Sequence, residues 1–123
     1  CRLEPSTESV QRLMEIGFIA AGNGLLADAE AIFQGVQAAR PESELPLVGR
    51  AFIRMNARQH RDAALLLQQA MEKNPDSDLA MSFLGAALQM SGMNQASRDV
   101  LQQVIAENGN EQAVELAKAL LEK

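Results

Sequence analysis

The sequence predicts an all-α fold of three stacked helical hairpins and one closing helix. Two observations predict it. Like residues recur every 34 positions: Gly17, Ala51 and Gly85; Ala29, Ala63 and Ser97; Phe33, Leu67 and Leu101; Val36, Ala70 and Val104; Pro41, Pro75 and Gly109. Small residues recur where two helices must approach, large apolar ones where a core must be filled, and breakers where a hairpin must end. A fixed period of this length marks stacked helix pairs. Composition agrees. Ala, Leu, Gln and Met dominate and favour helices. The chain has four Phe and neither Trp nor Tyr, and lacks the β-branched and aromatic runs of strands.

The elements follow in order. Ser6 or Thr7 can cap a first helix just after Pro5, and Val10, Leu13, Met14, Ile16, Gly17, Phe18 and Ala20 keep helical spacing. Gly22, Asn23 and Gly24 stop it and permit a left-handed turn. A second helix spans about 25–39, with Ala29, Ile32, Phe33 and Val36 on its packing side and Pro41 beyond its end. Ser43 reads as the next cap, and Pro46 is tolerated in a first turn, where its missing N–H has no helical partner. The third helix runs to about Ala57, residues 58–60 turn, and Arg61 to Lys73 form the fourth, closed by Asn74 and Pro75. Asp76 or Ser77 caps the fifth, which ends at Ser91–Gly92; the sixth spans about 94–107; Asn108, Gly109 and Asn110 break the chain. A seventh, about 111–122, sets Val114, Leu116, Ala117, Leu120 and Leu121 on an apolar side, and Glu111, Gln112, Glu115, Lys118, Glu122 and Lys123 on a polar one. Short turns make consecutive helices antiparallel neighbours. The last hairpin of a stack exposes an apolar face, and a helix with a polar outer side covers it.

The 123 residues suggest a single domain, with repeats at about 10–43, 44–77 and 78–111 and a capping helix at about 111–122. A formal net charge of −5 without a basic stripe argues against nucleic acid as a partner. No apolar run approaches the roughly 20 residues that span a bilayer, so membrane insertion is not expected. No signal peptide is visible, and one cysteine cannot form an internal disulfide, so a cytoplasmic location is expected. Cys1 has three readings: a residue exposed by methionine removal, a chosen boundary, or the lipidated first residue of a mature lipoprotein.

Counted from Val10, Glu44 and Asp78, these positions resemble the tetratricopeptide repeat. The pattern's small residues and proline are matched by Ala51, Ala63, Ala70 and Pro75 in the second repeat and by Gly17, Ala29 and Pro41 in the first, where Val36 departs. The third keeps Leu84, Gly85 and Ser97 and departs at Val104 and Gly109. The family's large fourth residue is Leu13, Leu47 and Met81, never Trp, and its tyrosine is replaced by Ala20, Arg54 and Leu88. The resemblance implies a right-handed α-solenoid. A short acidic chain of three such repeats and a cap also resembles the small chaperones of bacterial type III secretion, those of needle subunits first by size and those of translocator proteins second.

The resemblance places the first helix of each hairpin on a concave side. It implies that Gln11, Met14, Phe18, Ala21 and Gly22, then Leu45, Val48, Phe52, Met55 and Asn56, then Leu79, Ser82, Ala86, Gln89 and Met90, line that side. None of them is charged. The candidate binding residues are Met14, Phe18, Leu45, Val48, Phe52, Met55, Leu79, Ala86 and Met90. Some of these are expected to be core, since Met or Phe at helical spacing usually is. Soluble proteins rarely leave a large apolar surface open to water, methionines adapt to varied partners, and an amphipathic helix suits such a groove. Burying about 500 Å² of it gives about 12 kcal/mol gross, much of which association costs remove. Co-chaperone tetratricopeptide domains grip a peptide carboxylate with lysines and asparagines. Met14, Phe18, Val48 and Phe52 stand at those positions here, so no cationic clamp is expected.

Chemistry is not expected. His60, the single histidine, falls in an expected turn and reads as a solvated surface residue. One His and one Cys far apart give neither metal-ligand spacing nor a nucleophile–base pair, so no metal or cofactor is expected. Gly22 and Gly24 lack the preceding strand and following Lys of a phosphate loop. Arg50, Arg54 and Arg61 read as a solvated face that, if functional, would favour an acidic partner segment. The expected function is non-enzymatic. The first reading is a secretion chaperone whose groove holds the amphipathic helix of a secreted subunit, with a second small chaperone or a self-dimer as further partners. The alternative is a scaffold or assembly factor in a stable oligomer.

Overall fold

The computed structural model describes residues 6–107 and 111–122. Among them the chain forms α1 (Thr7–Gly22), α2 (Leu26–Ala39), α3 (Leu45–Asn56), α4 (His60–Lys73), α5 (Asp78–Met90), α6 (Asn94–Glu107) and α7 (Glu111–Leu121). The expected break at 108–110 and the readings of Cys1 lie outside the described residues.

Local chemistry sets the helix ends. Ser6 caps α1 by accepting from the Ser9 N–H at 3.1 Å, and Ser77 caps α5 by accepting from the Ala80 N–H at 3.2 Å. Ser43 accepts from the Leu45 N–H, but the cap residue of α3 is Glu44. α1, α3 and α5 end alike. Leu25 N–H donates to Ala20 O, Gln59 N–H to Arg54 O and Met93 N–H to Leu88 O, at 2.9, 2.7 and 2.9 Å. Each preceding residue, Gly24, Arg58 or Gly92, has positive φ. This is the left-handed helix stop, which closes orphan carbonyls with N–H groups from beyond the helix. The turn after α3 is used up by Gln59, so α4 starts at His60 rather than Arg61.

The helices stack in two layers. α1, α3, α5 and α7 touch in sequence, whereas α2, α4 and α6 touch only their inner neighbours and not one another, among the described residues. Closer spacing within the inner layer bends the stack, with the inner layer on its concave side. Three overlapping clusters form the core, one per hairpin together with the next inner helix. The periodic positions fill it. Phe33, Leu67 and Leu101 are fully buried, and so are Ala29, Ala63, Val36, Ala70 and Val104, with Ser97 beside them. Ser97 departs from alanine and uses its hydroxyl, donating to Gly85 O at 2.6 Å across the α5–α6 hairpin. Gly17 and Gly49 admit the Phe33 ring: a β-carbon would lie 2.6 Å from it at Gly17 and 2.5 Å at Gly49.

α7 covers the last hairpin with Ala113, Val114, Ala117 and Leu120, and leaves Glu111, Glu115, Lys118 and Glu122 in solvent. Two polar contacts fix its register. The Ser82 hydroxyl lies 3.2 Å from Ala113 O, and the Gln89 amide donates to Leu120 O at 2.9 Å. Among the described residues no helix is long and apolar enough to cross a membrane.

Candidate functional site: the aromatic concave face

The inner helices carry a cluster of aromatic side chains. Phe18 on α1, Phe52 on α3 and Phe83 on α5 meet in it. Phe18 and Phe52 have ring centroids 5.5 Å apart, and Phe52 and Phe83 5.9 Å. α1 and α5 are not neighbours. Yet the Phe18 and Phe83 rings stack at 6.4 Å with planes 14° apart, so they reach each other over α3. Phe18 also contacts buried Phe33 edge-on at 5.2 Å. All four phenylalanines thus form one network from core to surface. Such offset and edge-on pairs add about 0.5–1.5 kcal/mol each beyond area burial.

The three rings, Met55 and Leu79 are half-buried, whereas Leu45 and Met90 on the same inner helices are 38% and 52% exposed. Phe18, Met55 and Leu79 pack against one core cluster, and Phe52 meets Phe18 ring to ring. The structure puts the other three candidates elsewhere, as corrections to the sequence reading. Met14 and Ala86 are buried, and Val48 has no exposed surface, because that stripe of the inner helices packs against the next inner helix rather than facing solvent. Phe83 was not among the expected residues. Its equivalents are Glu15 and Gly49, so periodicity hides it; a count of the few aromatic residues is the signal that points to it.

Two arginines of α3 are engaged by α2. Arg50 Nε donates to Glu30 Oε1 at 3.0 Å, Arg50 also donates to the Gln37 side chain, and Arg54 lies 3.8 Å from Glu30. Arg50 and Arg54 therefore tie α3 to α2 and do not form the solvated face read from sequence. His60 departs from that reading as well. It is half-buried at the start of α4, with Nδ1 buried and unpartnered. Among the described residues no group of three or more His, Cys, Asp or Glu could hold a metal ion.

Two layers of antiparallel hairpins with a 34-residue period and a capping helix define a tetratricopeptide-repeat domain. The chain belongs to the HrpB1_HrpK family of bacterial type III secretion proteins, whose model matches residues 2–123. Solved structures agree on the fold. The Sgt2 TPR domain of Aspergillus fumigatus superposes with a TM-score of 0.72 at 22% identity, over 96% of this chain and 82% of that one. The first TPR domain of Spaghetti (RPAP3), bound to an HSP90 peptide, gives 0.75 at 19% identity, over 95% and 99%. The Yersinia enterocolitica type III secretion translocator chaperone SycD gives 0.75 at 16% identity, over 96% and 92%. At these identities the likeness speaks for the fold alone. A comparison with curated proteins returns no match.

Proposed function

We propose that the protein is a type III secretion chaperone that holds an amphipathic helix of a secreted subunit against its concave face. The observation that carries this reading is the half-buried aromatic cluster of Phe18, Phe52 and Phe83, on inner helices that also leave Leu45 and Met90 exposed. An apolar helix face with anchors at i, i+3, i+4 and i+7 complements such a surface. Masking it in the client prevents early polymerisation. Membership in a type III secretion family and a fold shared with a translocator chaperone support the same reading. The ligand differs from that of the HSP90-peptide complex. Met14, Phe18, Val48 and Phe52 replace the lysines and asparagines that grip a terminal carboxylate, and two of the four are buried.

The test is a pull-down of tagged protein from its host, with mass spectrometry of stoichiometric partners. A small helical secreted protein is expected. It should be lost with Phe52→Glu and with Met90→Glu while the circular dichroism of both variants stays helical. Because Met90 is exposed, its substitution keeps the test valid if Phe52→Glu unfolds. Capture that survives both substitutions removes the groove reading.

A second reading, a scaffold in a stable oligomer, is favoured by one observation. α1 exposes Leu13, Ile16 and Ile19 at 38%, 52% and 64%, while the opposite end of the stack is covered by α7. Light scattering on the purified chain tests it. A stable oligomer that Ile16→Glu dissolves supports the scaffold; a monomer retires it.

A further inference from the structure

One of the three equivalent turns departs from glycine. Gly24 and Gly92 take φ of +83° and +84°, and Arg58 takes +64°. A β-carbon is disfavoured there, so arginine is a poor choice for the turn itself. Its side chain stands with those of His60 and Arg61 around an open cavity of about 370 Å³, whose wall includes Gln59, Asp62 and Ser91. α4 begins in this wall, and its cap residue, Gln59, offers the first turn no side-chain bond. The opening N–H groups of a helix have no partner within it.

Among the described residues, two cations without a carboxylate stand together at this cavity, whereas Lys73, Arg98 and Lys118, which also join none, stand apart. The chain carries −5 overall. Arg12 is paired with Glu8, and Arg50 and Arg54 with Glu30. Among the described residues neither Arg58 nor Arg61 joins a carboxylate, although Asp62 shares the wall.

We propose that this cavity is a carboxylate-binding site for an acidic segment of the protein partner. The proposal rests on the reading of the chain as a protein-binding module, and not on the concave face. A guanidinium presents a planar pair of donors that matches the two oxygens of a carboxylate. The start of a helix adds about half a positive charge. A nucleic acid fits less well. Affinity for phosphate backbones grows with the number of phosphates neutralised, and two free arginines beside an aspartate neutralise few. The cavity lies at the ends of α3 and α5, the helices whose Phe52 and Phe83 form the aromatic face: Arg58 follows α3 and Ser91 follows α5. An apolar helix laid on that face can therefore place acidic residues at its end in the cavity.

The experiment is an amide NMR titration of the whole chain with a short all-glutamate peptide, and with an all-glutamine peptide of equal length. The glutamate peptide should shift residues 58–62 and Ser91; the glutamine peptide should not. Its affinity should fall about tenfold or more in Arg58→Gly and in Arg61→Gln, and should weaken with salt. Arg58→Gly installs the residue used by the other two turns, so it keeps the fold and separates lost binding from lost structure. Phe52→Glu should leave this titration intact, which makes failure of the groove reading distinguishable from failure here. Three results overturn the proposal: no localised shift at millimolar peptide, a shift that survives both arginine substitutions, or tighter binding of a DNA duplex than of the glutamate peptide.

Discussion

Gly49 and Phe33 share one space. The ring of Phe33 occupies the volume where a β-carbon on Gly49 would lie, 2.5 Å from Cε1, and Gly17 faces the same ring. The ring is fully buried and cannot step aside into solvent. Gly49→Ala is therefore expected to destabilise by about 1–3 kcal/mol, the usual cost of overpacking. Phe33→Leu should shrink that penalty, because a smaller side chain frees the space, and urea unfolding of the double-mutant cycle measures the coupling. A second residue-scale prediction concerns Asp78, the first residue of α5. Its pKa is raised above the ordinary 3.8, chiefly by burial, then by a hydrogen bond with Glu107 and by the charges of Glu107 and Asp76. A folded state that holds the proton more tightly is stabilised below the ordinary pKa and loses that contribution as pH rises through the folded value. Asp78→Asn should thus leave stability near wild type below pH 3.8 and raise it at neutral pH. A urea midpoint unchanged at neutral pH would show that the repulsion is relieved by solvent.

At the scale of elements, α7 is the piece that ends the stack. Ala117 has no exposed surface and packs with Leu101 and Val104 of α6 and Met81 of α5. Ala117→Glu is expected to release the helix, since an unpaired buried charge costs more than the burial of one short helix can offset. The uncovered α5–α6 face should then bind a hydrophobic dye and drive association at raised concentration; a monomeric variant with unchanged dye fluorescence counts against α7 as a cap. The elements were legible in the sequence because every hairpin solves the same packing problem: the 34-residue spacing of Ala29, Ala63 and Ser97 marks a contact as well as a helix. The site was legible only in part. Phe18 and Phe52 share the period, whereas Phe83 answers to rings on two other helices, a relation that exists only once the stack bends. Met14, Val48 and Ala86 carry the same apolar pattern as their exposed neighbours. Which stripe of an inner helix meets the next helix, and which meets solvent, is set by the angle between hairpins rather than by local sequence.

At the scale of the whole molecule, contacts among the described residues run between consecutive hairpins and along the inner layer. Stability in such a stack is close to a sum of hairpin terms and nearest-neighbour interface terms. α3 and α4 have a hairpin on each side, whereas α1 and α2 have one on a single side and leave Ile16 and Ile19 exposed. Native-state hydrogen exchange should therefore find the slowest amides in α3, α4 and α5, and faster ones in α1 and α2, because local opening draws on the regions with the fewest buried contacts. Ala117→Glu should lower protection first in α6 and α5, and leave α1 and α2 unchanged. The Phe18–Phe52–Phe83 network complicates this one-dimensional picture. It ties α1 to α5 directly, over α3. If those rings couple the ends, Phe83→Ala should speed exchange in α1 as well as in α5, although α1 and α5 share no other interface. An effect confined to α5 would mean that the rings merely coat the concave face; an effect on both would mean that a partner binding there stiffens the whole stack at once.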